Sequence, residues 1–76
     1  MPRRIESQML IYKRIAERLK NVRKQRHLSY VQVGQMIGVS YQQIQKYEKL
    51  QNRISIEKLH ALCLVLNLPF SYFLED

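Results

Sequence analysis

The chain has 76 residues, with 13 Lys and Arg against six Asp and Glu, giving a net charge of +7 and a sequence pI near 9.9. A chain this short holds one domain and hides only about 60% of the surface its unfolded form exposes, so it leaves no room for a second folding unit. Hydrophobic residues make up 46% with only two glycines and two prolines, which argues against disorder and for a compact all-α bundle, while the basic balance makes a polyanion a natural partner.

Cys63 is the sole cysteine, so one chain can build neither a disulfide framework nor a thiolate zinc cluster, and a reducing compartment suits it. The opening MPRRIESQML lacks the apolar stretch and cleavage site of a secretory signal, and no segment approaches the roughly 20 apolar residues of a membrane span. The expectation is a cytoplasmic protein with no membrane role, residues 1–7 forming an arm and 8–76 a single domain.

Tyr12, Ile15, Leu19 and Val22 recur at helical spacing and predict a helix from about residue 8 to 26 with its basic side chains outward. Nine of the 13 basic residues precede His27, and their simplest role is a solvated face. Ser29 is the expected N-cap of a helix of barely two turns, with Val33 and Ile37 inward. Gly38 breaks it. Ser40 caps the next helix, from Tyr41 to about Lys49, whose inward residues are Ile44 and Tyr47. After the polar connection LQNR, Ser55 caps a helix over Ile56 to Leu66 with Leu59, Leu62, Cys63 and Leu66 buried. Pro69 suits the first turn of a last short helix carrying Phe70 and Phe73.

The third of these helices is unusual: GVSYQQIQKYEK offers two anchors for the core and an outward face of Gln42, Gln43, Gln45 and Lys46. Such a face is poor at packing and rich in amide donors and acceptors. The major groove of B-DNA admits one α-helix, and glutamine pairs with adenine N6 and N7 while lysine reaches guanine or phosphate. A merely solvated face is the competing reading.

The stretch LSYVQVGQMIGVSYQQIQKYEK resembles the helix-turn-helix of the phage repressor and Cro family, also called the XRE family. Gly34 stands where that motif wants alanine, so the helices can approach closely; Gly38 holds the turn; Val39, Ile44 and Tyr47 hold the docking positions. The resemblance covers about residues 12 to 74. It implies a five-helix repressor-like fold with helices 2 and 3 as the motif, and an ion pair between Arg23 and Glu48. It also implies double-stranded DNA as partner, with base contacts from Tyr41, Gln42, Gln43, Gln45 and Lys46. Phosphate contacts fall to Ser29, Tyr30, Gln32, Asn52, Arg53 and Ser55.

Three positions depart from the family pattern. Tyr30 replaces a phosphate-binding glutamine. Leu50 falls where relatives often end the recognition helix with a left-handed glycine, so an altered cap is expected there. His27 replaces another helix-ending glycine.

Enzyme chemistry finds little support. His27, His60 and Cys63 have no second cysteine, paired carboxylates or phosphate-cradling loop beside them, so no metal, cofactor or small-molecule substrate is expected. A single module of this kind binds DNA weakly, which predicts a homodimer on a two-fold symmetric operator, joined through Ala61, Leu64, Leu68 and Tyr72, with Met9, Leu10 and Ile11 as a second apolar cluster. The expected role is a transcriptional regulator, more readily a repressor than an activator. An antitoxin or adaptor whose main partner is another protein is the alternative.

Overall fold

The structure is a computed structural model that describes residues 4–75, with side chains from residue 9 onward. Among the described residues five helices follow one another: α1 (Arg4–Gln25), α2 (Tyr30–Ile37), α3 (Tyr41–Glu48), α4 (Ile56–Leu66) and α5 (Phe70–Leu74). The all-α, five-helix architecture is the one expected. α1 begins at Arg4, whereas the periodicity placed its start near residue 8 and assigned residues 1–7 to an arm. No glycine or proline falls between Arg4 and Tyr12 to interrupt the helix, while the apolar repeat that located it begins only at Tyr12. Of the expected arm, residues 1–3 lie outside the described residues, as does Asp76.

The core is assembled from one stripe of each helix. Ile15, Leu19 and Val22 of α1 meet Val33 and Ile37 of α2, Ile44 and Tyr47 of α3, Leu59, Leu62, Cys63 and Leu66 of α4, and Phe73 of α5. Burial pushes the Cys63 thiol above its ordinary pKa, which keeps it unreactive. Ile54, between the polar connection LQNR and the Ser55 cap, is buried with them. It pins the loop between α3 and α4 to the core.

Serine hydroxyls start three helices as expected: Ser29 Oγ accepts from Gln32 N at 3.0 Å, Ser40 Oγ from Gln43 N at 3.2 Å and Ser55 Oγ from Lys58 N at 3.1 Å. The helix ends share another device. His27, Gly38, Leu50 and Asn67 follow α1 to α4 in turn, and all have positive φ, between 55° and 75°. Only Gly38 adopts this conformation without steric cost.

Leu50 therefore corrects the expectation of an altered cap. With φ 60° it keeps the left-handed termination, Gln51 N–H donating to Lys46 O at 2.9 Å and Leu50 N–H to Tyr47 O at 3.3 Å. Two carbonyls of the last turn gain donors, which outweighs the strain of a leucine in that region. Leu50→Gly is expected to stabilise the domain by about 1 kcal/mol, raising Tm by about 4–8 °C in a thermal melt. An unchanged or lowered Tm would mean that leucine's packing outweighs its strain.

Four long cations close helix C-termini. Arg14 Nη1 donates to Leu74 O at 2.7 Å, Arg18 Nη1 to Tyr72 O at 2.6 Å, Arg26 Nη1 to Leu66 O at 2.6 Å and Lys58 Nζ to Ile37 O at 3.2 Å. Each satisfies a carbonyl that has no intrahelical partner and sits at the negative end of a helix dipole. Arg14 and Arg18 of α1, and Arg26 just beyond it, are thus structural as well as part of the face the sequence offered as solvated.

Candidate nucleic-acid interface

α2 and α3 are held together by a turn so tight that it has no space for a side chain at Gly34. A Cβ built there would stand 2.6 Å from Val39 O. Val39 N–H donates to Gly34 O at 2.9 Å, and Val39 packs against the core. α3 is anchored on its inner side by Ile44 and Tyr47.

The turn of about 100° per residue then fixes the outer face. Gln42, Lys46 and Lys49 lie along its exposed centre, with Gln45 half-buried beside them. Tyr41, 45% exposed, occupies one flank and half-buried Gln43 the other. All five residues expected to contact bases therefore share one helix surface, and Lys49, which sequence reasoning omitted, extends it. The signal was available: Lys49 follows Gln42 by seven residues and Lys46 by three, the spacing of one helix face.

Of the residues expected to bind phosphate, Ser29 and Gln32 form the cap of α2, Ser55 caps α4, and Asn52 ties the α3–α4 connection to α3. Ser29 Oγ is an acceptor in the α2 cap, and Gln32 Oε1 accepts from Ser29 N at 2.8 Å. Ser40 and Ser55 accept in the same way, and Gln43 Oε1 accepts from Asn52 Nδ2 at 3.2 Å. The serine hydroxyls and the Gln32 and Gln43 amides thus accept within the fold and keep a donor, while Asn52 uses one N–H of its NH2 on Gln43. A surface so arranged offers donors, and a polyanion presents acceptors.

Arg53 is exposed, its guanidinium 5.3 Å from the centroid of the Tyr12 ring, and a cleft of about 370 Å³ lies beside it, lined by residues including Ile11, Tyr12, Ile54 and Leu59. Stacking on the ring steadies the arginine without using its N–H donors.

Behind the interface, Arg23 joins three helices. Its Nε donates to Glu48 Oε2 at 2.7 Å and its Nη2 to Glu48 Oε1 at 3.1 Å, a bidentate pair between α1 and α3. The same guanidinium stands 4.1 Å from the Tyr30 ring centroid at the start of α2, a contact that nothing in the linear sequence announced. Arg23 is only 9% exposed; hydrogen bonding to Glu48 holds its pKa above the ordinary arginine value despite the cost of burial.

The residues expected to join two copies lie in α4, in the connection after it and in α5. Leu64 is 67% exposed, whereas Ala61, Leu68 and Tyr72 are half-buried against the core. Tyr72 is partly taken up internally, 5.8 Å from the Arg18 guanidinium. Ile56, Val65 and Phe70 are exposed apolar residues near Leu64 in the chain, and the Phe70 ring stacks on His60 at 5.8 Å.

A family model described as "Helix-turn-helix" matches residues 19–73. The chain is 37% identical over 62 residues to an uncharacterized HTH-type transcriptional regulator of Sinorhizobium medicae (strain WSM419), covering 82% of this chain and 45% of the relative. It is 39% identical over 62 residues to an uncharacterized transcriptional regulator in the ATPase CF(0) region of Rhodospirillum rubrum, covering 82% and 57%. The chain thus spans about half the length of the curated relatives it matches. Among solved structures, the P22 c2 repressor in complex with synthetic operator 9T superposes with a TM-score of 0.73 at 30% identity, over 80% of this chain and 92% of the repressor chain. Fold, motif and sequence agree that this chain belongs to the repressor/Cro-like (XRE) family of helix-turn-helix domains.

Proposed function

We propose that the chain is a sequence-specific double-stranded DNA-binding transcriptional regulator, acting as a repressor that occludes a two-fold symmetric operator as a dimer. The observation that carries this reading is the outer face of α3, where Gln42, Gln45, Lys46 and Lys49 face away from the core between hydroxyl and amide donors at the starts of α2, α3 and α4. α3 enters the major groove, Gln42 reads a base edge with Lys46 beside it, and Tyr41, Gln43 and Gln45 add flanking contacts. Ser29, Tyr30, Gln32, Asn52, Arg53 and Ser55 fix the register on phosphates. The similar P22 c2 repressor was solved on an operator, which supports the same mode here.

Gln42→Ala is expected to cost about 1–3 kcal/mol on the preferred site and relax one base position, whereas Arg53→Ala weakens binding to all sequences and lowers the salt slope by about one. Titrations on selected and random duplexes check both. Equal losses on both duplexes for Gln42→Ala would reject base reading and leave a nonspecific basic binder.

Dimerisation through the α4–α5 surface rests on the exposed apolar side chains of Leu64, Val65, Phe70 and Ile56, which a monomer leaves in water. Sedimentation should show a dimer that Leu64→Lys dissociates. Monomer alone at high concentration, with and without DNA, would reject it.

A further inference from the structure

Among the three glutamines of α3, Gln43 differs in being tied to the loop. It lies on the flank of the helix nearest the α3–α4 connection, half-buried, and its Oε1 accepts from Asn52 Nδ2 at 3.2 Å, nine residues away. A carboxamide is planar, with its oxygen and its NH2 on opposite sides of the Cδ, so turning the oxygen toward Asn52 turns the NH2 away from it. The loop that makes this bond is itself fixed, because Ile54 is buried and Gln51 and Asn52 donate their backbone N–H groups to Lys46 O at 2.9 and 3.3 Å.

Resting on the DNA-binding reading above, we infer that Asn52 sets which base Gln43 can read: held by the loop amide, Gln43 meets the duplex as a donor only. Pairing with adenine needs an acceptor for N6 and a donor for N7 from the same amide, whereas guanine N7 and O6 and thymine O4 are acceptors that a donor alone satisfies. Asn52 is therefore a positioning residue for specificity, beyond any phosphate it binds. Gln42 and Gln45 carry no such bond among those described, so the same residue type on one helix serves two kinds of readout.

The test selects bound fragments from a random duplex pool with the full chain, with Asn52→Ala and Asn52→Asp, and with each of these combined with Gln43→Ala. Thermal melts check that every variant folds. The native chain should prefer guanine or thymine at the base position that Gln43→Ala relaxes. Asn52→Ala should weaken that preference about tenfold without altering the other positions. Asn52→Asp can only accept, so it draws the Gln43 NH2 inward, turns the oxygen out, and should move the preference toward adenine or cytosine. With Gln43→Ala in place, neither Asn52 change should alter that position. Unchanged base preferences with a uniform loss of affinity would overturn the inference, as would adenine preferred by the native chain at that position. A native chain that selects no sequence at all would instead reject base reading as a whole.

Discussion

Glu48→Ala is expected to destabilise the domain by about 3–5 kcal/mol, because the change removes one partner of a buried ion pair and leaves the other charged. The Arg23 guanidinium would retain Leu28 O, at 3.4 Å, and the face of the Tyr30 ring, neither of which replaces a carboxylate. Domains of this size have a total stability of about 4–11 kcal/mol, so the variant would stand near its unfolding threshold at 37 °C. Urea denaturation measures the loss. The double change Arg23→Met with Glu48→Leu should recover most of it, since a packed apolar pair has no desolvation cost. It should still bind DNA less well, because Tyr30 loses the cation beneath its ring. Equal instability of the single and double variants would show that the loss does not come from leaving a buried charge unpaired. The pair should give little pH dependence through Arg23: a raised pKa in the folded state contributes stability below the unfolded value and loses it only as pH rises through the folded one, far into the alkaline range.

The second large effect is expected at Gly34. Alanine is the better helix former by about 1 kcal/mol, and on α2 alone Gly34→Ala would stabilise. Here the new methyl would meet Val39 O at 2.6 Å, a backbone atom that cannot turn aside. Relief requires the α2–α3 turn to open, and overpacking of this kind costs about 1–3 kcal/mol. Opening would also tilt α3 against α2, so specific DNA binding should fall by more than the stability loss explains. A melt and a binding titration on the same preparation separate the two. A variant as stable as the native chain, with unchanged affinity, would show that the turn yields without cost.

Features fixed by a local repeat can be read from the sequence. Apolar stripes such as Ile15, Leu19 and Val22 are legible because the helix repeat puts them on one side whatever they pack against, and Ser29, Ser40 and Ser55 because capping bonds span three residues. The polar face of α3 is legible for the same reason. Less local features are not. Leu50 takes a conformation that its own side chain disfavours, and the Lys46 and Tyr47 carbonyls behind it impose that conformation. The Arg23 stack on Tyr30 and the Asn52 bond to Gln43 depend on where a turn delivers the next element. The start of α1 differs from the expected one because the apolar repeat that marks the helix begins only at Tyr12, eight residues after the helix does.

Arg14, Arg18 and Arg26 grip carbonyls 60, 54 and 40 residues further along, so the last two helices are stitched onto the first. α5 has only five residues, yet Phe73 plugs the centre of the molecule and two of the three stitches end on it. Cutting the chain before Pro69 would remove those acceptors of Arg14 and Arg18 and open a hole in the core where Phe73 sits. The damage would surface at the far end of the polypeptide, making this smallest helix the keystone of the vault.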